Sequence, residues 1–191
     1  MSRSKQIASV LALSFCMGAA APAQDAGVNR EADHQALREL KTKVATAVSH
    51  QDLKTLMTCF AKDFALTLVD QTVITNEASL AAYYARMFTD KEALISKLET
   101  TVDADILTRF TDANTGYCYG GGLDAYTLKD GRVFKIKNRW TAVVVKEGGT
   151  WKAAAVHVGV NFLDNPVLRS RTMSLWRKLG IVLHLAKPPS D

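Results

Sequence analysis

The stretch WKAAAVHVGVNFLDNP, residues 151–166, places one histidine, His157, among the small and β-branched residues of a predicted strand. An imidazole changes its charge near neutral pH, so His157 is a candidate general base. The same pattern fits a histidine that packs in a core or lines a pocket without catalysis. The side chains that the sheet places beside His157 distinguish these two hypotheses.

Two glycine turns predict the strands that surround this histidine. Asp130-Gly131 and Gly148-Gly149 are strong signals for two-residue hairpin loops between strand-forming runs. The three antiparallel strands that they predict are residues 116–128, 132–146 and 151–162.

The same loops predict the pairing of the strands. With two-residue loops, Trp140 pairs with His157, and Tyr119 pairs with Ala142. Because side chains alternate between the faces of a strand, one face collects Tyr117, Tyr119, Asn138, Trp140, Ala142, Trp151, Ala153, Ala155 and His157. Aromatic rings beside small residues and a few polar groups are typical of a small-molecule pocket. We therefore expect the helices to cover this face, unless a bulge at Gly120-Gly121-Gly122 changes the register.

The start of the chain predicts export. Two basic residues, an apolar run at residues 7–15 and the sequence Ala21-Pro22-Ala23 form a secretory signal, residues 1–23. The apolar run is too short to span a bilayer. A lipoprotein anchor at Cys16 is less favoured, because Phe15 stands where such signals usually have a small residue. We expect a periplasmic or secreted protein.

Charge and cysteine content exclude several classes of partner. Cleavage after Ala23 removes two basic residues and no acidic one from a chain with a formal net charge of +5. The positive charge that remains is too small to favour nucleic acid as a partner.

Cys59 and Cys118 have no metal-site spacing, so we expect neither a metal nor another cofactor. Cys59 is predicted on the buried side of a helix and Cys118 on the sheet face away from the helices. We therefore expect no disulfide between them.

The remaining sequence predicts one α+β domain. Its length and its 48% hydrophobic residues suit a single core. Residues 24–33 are predicted as a linker, 34–166 as the domain and 167–191 as a tail. The predicted helices are residues 34–48, 52–60 and 76–88, with strands at 64–69, 73–74 and 106–111, and residues 90–97 are helical or irregular. Asp52 caps the second helix and Thr75 or Asn76 the third. About three helices then cover one face of a curved antiparallel sheet.

Three stretches resemble a known superfamily. They are HQDLKTLMTCFAKDFALTLVD, EASLAAYYARMF and GRVFKIKNRWTAVVVKEGGTWKAAAVHVGVNFLDNPVL, which cover roughly residues 34–168. They resemble the NTF2-like superfamily, in particular its SnoaL-like or DUF4440-type domains. The resemblance implies a cone of curved sheet closed by helices, usually with a pocket and often dimeric. It implies no reaction, because the superfamily contains isomerases, hydrolases, cyclases and non-catalytic binding domains.

An isomerase-like member of this superfamily needs a base near its substrate and acidic hydroxyls that hold an enolate. His157 is the candidate base and Tyr119 the candidate donor, whereas Asp63 is an alternative with an easy structural role. Asp103 and Asp124 are expected on the surface. The absence of a buried carboxylate disfavours a steroid-isomerase mechanism. The predicted pocket residues are Tyr83, Tyr117, Tyr119, Asn138, Trp140 and His157.

The tail has a basic amphipathic pattern. Leu168, Leu175, Trp176, Leu179, Val182 and Leu183 recur at helical spacing among arginines and lysines. Such a helix can lie on an anionic membrane surface, here through residues 167–187. The same pattern equally fits packing on the domain or on a dimer partner.

These patterns leave three functional hypotheses. The leading one is an exported domain whose apolar pocket binds an unknown small molecule, or which serves as an assembly module, without catalysis. The second is a small isomerase or hydrolase with His157 as general base. The third is a scaffold on a membrane surface.

Overall fold

The computed structural model describes residues 29–160. The predicted signal, residues 24–28 of the predicted linker, residues 161–166 of the predicted domain and the C-terminal tail lie outside the described residues. The elements in chain order are α1 (Glu31–Ser49), α2 (Leu53–Met57), β1 (Phe60–Thr67), β2 (Val73–Ile74), α3 (Glu77–Tyr84), a π-helical turn (Ala85–Thr89), β3 (Ile95–Ala104), β4 (Arg109–Phe110), β5 (Thr115–Leu128), β6 (Val133–Glu147) and β7 (Thr150–Val160). This is the predicted α+β class.

The strands form one mixed sheet. Its order is β2-β1-β7-β6-β5-β3, with β4 beside β5. Strands β1 and β7 run parallel, and the other pairs are antiparallel. Helix α1 packs across the sheet against β3 and β7. The face toward α1 is called the inner face below, and the opposite face the outer face.

Local signals place the two shorter helices. The Asp52 side chain accepts a hydrogen bond from the Thr55 backbone N–H at 2.9 Å, which caps α2 as predicted. Asn76 and Ser79 form a reciprocal capping box at the start of α3. After Tyr84 the chain continues into the π-helical turn, so the third helical segment ends close to its predicted end.

The main core lies between these helices and the β1–β7 side of the sheet. Its buried side chains are Ala47, Leu56, Phe60, Phe64, Leu66, Ile74, Leu80 and Ala153. Ile74 is completely buried, and Leu56 and Leu80 are 3% and 2% exposed. Full burial of a side chain of this size contributes roughly 1.5–3 kcal/mol. This core fixes α2 and α3 against the sheet.

Helix α1 starts earlier than its sequence predicts. It begins at Glu31, so residues 31–33 of the predicted linker belong to the helix. The Asp33 carboxylate accepts hydrogen bonds from Lys146 Nζ at 2.8 Å and from Trp151 Nε1 at 2.7 Å, and it pairs with Arg30. These contacts join the first turn of α1 to the β6–β7 hairpin. They come from residues distant in sequence, which no local pattern reveals.

Strand β3 corrects the end of the span predicted as helical or irregular, residues 95–97, whereas residues 90–94 are irregular. The strand runs from Ile95 to Ala104 and pairs with β5 along its length. Leu98 and Thr100 face inward and alternate with the exposed polar residues Lys97, Glu99 and Thr101. Because half of its residues are exposed and polar, the strand was not recognised in the sequence. The strand predicted at residues 106–111 is reduced to the two residues of β4.

The β5–β6 loop is one residue longer than predicted. The Leu128 N–H donates to the Arg132 carbonyl, and the Gly131 N–H donates to the Leu128 carbonyl. Lys129, Asp130 and Gly131 therefore form a three-residue loop, with Gly131 in the left-handed region at φ 86°. The extra residue moves the register by one, so Tyr119 pairs with Thr141 instead of Ala142. Pairing across the glycine run itself is unbroken.

A bulge corrects the register of β6 and β7. The loop at Gly148-Gly149 has two residues, and the predicted pairing holds from Glu147–Thr150 to Val144–Ala153. Between Val144 and Val143 the register shifts, and Ala154 is the extra residue. As a result, Trp140 pairs with Val158, and His157 pairs with Thr141.

These two shifts change which side chains face the helices. Tyr117, Tyr119, Ala155 and His157 lie on the outer face, and their predicted inward orientation was wrong. Conversely, Cys118, Val156 and Val158 lie on the inner face, where the sequence predicted them outside. Asn138, Trp140, Ala142, Trp151 and Ala153 face inward, in the expected orientation.

Candidate functional site

A cavity of about 660 Å³ lies between α1, α3 and the inner face of the sheet. Its walls are mainly aliphatic, and Leu40, Val44, Leu80, Leu98, Val144 and Val158 are among them. The volume lies within the range of roughly 300–1,000 Å³ that small-molecule sites occupy. The chemical character of the cavity is therefore decided by the few polar groups on its wall.

The central polar group is Asp124, which is 8% exposed. One carboxylate oxygen accepts a hydrogen bond from Thr100 Oγ1 at 2.6 Å. The other accepts from Asn138 Nδ2 at 2.9 Å. The expectation that Asp124 lies on the surface was wrong, because the three-residue β5–β6 loop sets a register that turns Asp124 toward the inner face. The sheet instead supplies the buried carboxylate that the sequence failed to reveal.

The register of three strands assembles this cluster. Thr100 on β3 pairs directly with Asp124 on β5. Asn138 on β6 pairs with Gly122, two residues before Asp124 on the same face. A Cβ atom on Gly122 would lie 2.8 Å from the Asn138 side-chain oxygen and 2.5 Å from the Thr101 carbonyl oxygen. Glycine at this position therefore leaves the room in which the Asn138 amide reaches Asp124.

Gly120 has the same role for Trp140. The two residues pair across β5 and β6, and a Cβ atom on Gly120 would lie 2.7 Å from the indole ring. The indole Nε1 donates to the Gly121 carbonyl at 3.0 Å. The glycine run thus makes space for the side chains of Asn138 and Trp140 on β6. It does not form the bulge that was considered from the sequence.

Burial governs the protonation of the groups around the cavity. It raises the pKa of Asp124 above its ordinary value, and the hydrogen bonds from Thr100 and Asn138 oppose that shift. Burial raises the pKa of Tyr83 to about 12 and that of Tyr84 to about 12. The pKa of Tyr126 is also raised, first by burial and then by the charge of Asp124. All three tyrosines are neutral hydroxyls at physiological pH.

The structure divides the predicted site residues into two groups. Tyr83, Asn138 and Trp140 line the cavity. Tyr117, Tyr119 and His157 do not line it, and they lie exposed on the outer face, where Tyr117 and Tyr119 are 37% and 36% exposed.

His157 therefore has no access to a molecule inside the cavity. Its neighbours in the sheet are Thr141 on β6 and Thr67 on β1. Asp63 is also exposed and lies away from the cavity wall, whereas Asp103 is an exposed residue at its edge.

The two cysteines among the described residues, Cys59 and Cys118, are free thiols. Cys59 is buried, and Cys118 lines the cavity, where burial raises the pKa of its thiol. The expectation of no disulfide agrees with the structure, but the outward position assumed for Cys118 was wrong.

Two negative findings apply to residues 29–160. In that range no group of three or more His, Cys, Asp or Glu side chains could hold a metal ion. Within the same described part, no helix is both long and apolar enough to cross a membrane.

Comparison with solved structures shows the fold. A hexachlorocyclohexane dehydrochlorinase is similar with a TM-score of 0.60 and 14% identity, covering 70% of this chain and 88% of that one. A putative scytalone dehydratase from Novosphingobium aromaticivorans has a TM-score of 0.60 and 12% identity, covering 69% and 86%. A ketosteroid isomerase-like protein from Erwinia carotovora atroseptica has a TM-score of 0.57 and 14% identity, covering 68% and 96%.

At these identities the likeness establishes the fold and not the reaction. No curated protein matches the sequence. Residues 29–157, which include both sides of the cavity, match the family model of the SnoaL-like domain. The chain belongs to the SnoaL-like domain family and has its NTF2-like fold.

Proposed function

We propose that the protein binds a small, largely apolar organic molecule in the cavity, with the Asp124 cluster as its polar anchor. The observation that carries this proposal is a buried carboxylate on the wall of an otherwise apolar cavity of about 660 Å³. Aliphatic walls favour an apolar body through the removal of its surface from water. A few convergent polar groups fix orientation, as they do in small-molecule sites generally.

A cavity-filling substitution tests this proposal. Ala142 lines the inner face of β6, so Ala142→Leu places three more carbons inside the cavity. Ala155 on β7 faces outward, which makes Ala155→Leu the matched control. The probe is N-phenylnaphthylamine, an uncharged dye whose fluorescence rises in apolar sites. We expect Ala142→Leu to weaken dye binding about tenfold or more, since the lost space removes apolar contact area, while Ala155→Leu leaves it unchanged.

Thermal unfolding of both variants accompanies the dye titration, so that loss of binding is separated from loss of the fold. Equal dye binding by the two variants would show that the dye does not enter the cavity. Native mass spectrometry of the full chain, purified without added ligand, provides the route to the natural molecule. A small molecule that co-purifies with the wild-type protein but not with Ala142→Leu is then identified as the natural ligand.

A second candidate function is acid–base catalysis by Asp124. The favouring observation is the buried carboxyl of Asp124, whose pKa burial raises, beside the neutral hydroxyls of Tyr83 and Tyr126, because a carboxylate with a raised pKa is a stronger base than an ordinary one. The dehydrochlorinase and dehydratase among the structural neighbours support this candidate by analogy of fold. In it, Asp124 takes the place that the sequence suggested for His157.

Proton exchange tests catalysis without knowledge of the substrate. Apolar cyclic ketones are incubated with the protein in D₂O, and deuterium uptake at the carbon beside the carbonyl is followed by NMR. Catalysis predicts exchange that Asp124→Asn abolishes and that His157→Ala leaves intact. Ketones that bind but exchange only at the uncatalysed rate would favour a binding protein.

Export and the role of the tail remain part of the proposal. The predicted signal at residues 1–23 supports a periplasmic or secreted location, which cell fractionation tests. Co-sedimentation with anionic liposomes, with and without residues 167–191, tests membrane-surface contact. Sedimentation velocity of the same two forms tests a homodimer. Equal liposome binding by both forms would remove the tail as the membrane contact.

A further inference from the structure

We propose that the molecule bound in the cavity carries a positively charged amino group, which pairs with the carboxylate of Asp124. The inference rests on the proposed binding function and specifies the chemical class of the ligand. It follows from the partners of Asp124, from the cost of burying its charge and from the aromatic rings around it.

Asp124 differs from the other paired acids of the described chain. Asp33 has Lys146 and Arg30, Asp70 has Arg86, and Asp105 has Arg139 as cationic partners. Asp124 is more buried than these three, and its hydrogen-bond partners Thr100, Asn138 and Tyr126 are all neutral groups. Among residues 29–160, no basic side chain influences its pKa.

Within residues 29–160, this arrangement leaves the charge of Asp124 without a cationic partner. A carboxylate taken out of water loses a large solvation energy, and hydrogen bonds from neutral groups recover only part of it. The raised pKa of Asp124 reflects that deficit. An ammonium group in the cavity would supply the missing countercharge and a charge-assisted hydrogen bond. A ligand carboxylate at the same place would add repulsion.

The rings beside Asp124 favour the same ligand. Tyr83 and Tyr126 lie close enough for the charge of Asp124 to raise the pKa of both, and Tyr126 is only 7% exposed. Trp140 lies on the same cavity wall. Aromatic faces attract ammonium groups, and tyrosine oxygens accept hydrogen bonds from them. The aliphatic remainder of the cavity then takes the apolar body of the amine.

Three probes with a common indole body isolate the head group. Tryptamine carries an ammonium group, tryptophol a neutral hydroxyl, and indoleacetate a carboxylate. Their dissociation constants for the full-length chain are measured by calorimetry at neutral pH. We expect tryptamine to bind at least about tenfold more tightly than tryptophol, as a charge-assisted hydrogen bond in a desolvated site predicts. Indoleacetate should bind most weakly.

Two variants assign the preference to Asp124. Asp124→Asn keeps the shape and removes the charge, so the advantage of tryptamine over tryptophol should disappear while tryptophol binding changes little. Asp63→Asn removes an exposed acid away from the cavity wall and should leave the advantage intact. Because the comparison of the three probes uses the unmodified protein, it stands even where a variant folds poorly.

The outcomes separate this inference from the function on which it rests. Tryptophol binding as tightly as tryptamine would overturn the proposal that the ligand carries an amino group. The cavity would then be a site for neutral molecules. The proposal of an amine ligand would also be overturned if the protein bound the uncharged dye but not tryptamine. Failure of the dye and all three probes to bind would overturn the proposed binding function itself.

Discussion

Thr100 pairs with Asp124 across strands β3 and β5, and its hydroxyl donates to the buried carboxylate at 2.6 Å. This contact joins a strand that the sequence did not predict to a carboxylate that it placed on the surface. It also forms a polar part of the cavity wall, positioned by the pairing of β3 with β5. The protonation and the stability of the site should therefore depend on Thr100.

Thr100→Val removes the hydroxyl and keeps the shape of the side chain. We expect the pKa of Asp124 to rise further, because one of the three side chains whose hydrogen bonds oppose its burial shift is lost. The free energy of unfolding should fall by about 1–3 kcal/mol, the usual cost of a lost hydrogen bond to a buried acceptor. Carboxyl ¹³C titration by NMR and urea denaturation measure the two effects. Thr101→Val on the exposed side of β3 is the control, and an equal shift there would contradict the assignment.

The charge of Asp124 should make the protein less stable as pH rises. Its folded pKa lies above the unfolded value of 3.8, so its favourable contribution is complete below that value. The contribution is lost as pH rises from there through the folded pKa. Asp124→Asn removes this dependence. The free energy of unfolding of the variant should therefore rise relative to that of the wild type as pH increases across that window. Urea denaturation at a series of pH values gives the difference, and a constant difference would mean that the folded pKa is not raised.

The parts of the fold that local chemistry determines were predictable. Asp52 and Asn76 cap helices through residues three positions away, and the glycine turns mark both hairpins. The number of loop residues was not predictable, because a glycine with positive φ suits a two-residue loop and the last position of a three-residue loop alike. At Asp130-Gly131 that single residue decides which side chains of β5 face the cavity.

The bulge in β7 was unpredictable for a related reason. It falls within Ala153-Ala154-Ala155, and identical small side chains give no preference for one register over the next. The slip changes the face of every residue that follows, including His157. The predicted inward orientation therefore holds on β6, where Asn138 and Trp140 face the cavity, and fails for Tyr117, Tyr119 and His157 on the two strands beside it.

Asp33 should show the opposite pH dependence from Asp124. Hydrogen bonds from Lys146 and Trp151 hold its pKa below the ordinary value of 3.8, so its contribution is complete above that value. The contribution is lost as pH falls through the lower folded pKa. Asp33→Asn should lower the free energy of unfolding at neutral pH by about 1–2 kcal/mol, since a partly exposed charged hydrogen bond is lost. Asp63→Asn at an exposed position is the control, and acid titration of both variants checks the window.

Gly120 should tolerate no side chain, whereas its neighbour Gly121 should. A Cβ atom on Gly120 would lie 1.9 Å from the Asp103 carbonyl oxygen and 2.7 Å from the Trp140 ring, so β3 and β5 would have to separate. A Cβ atom on Gly121 would first meet the flexible Arg139 side chain at 3.3 Å. We expect Gly120→Ala to cost about 2–4 kcal/mol, as overpacking against backbone does, and Gly121→Ala less than about 1 kcal/mol.

Urea denaturation of the two alanine variants measures these costs, and near-ultraviolet circular dichroism reports the packing of the tryptophans, Trp140 among them. Loss of the tryptophan signal in Gly120→Ala alone would place the strain at the β5–β6 pair that holds Asn138 against Asp124. Dye binding should then fall in the same variant, because the cavity wall and the polar cluster depend on that pair. Equal stability of the two variants would contradict the close approach of β3 to Gly120 on which the site geometry depends.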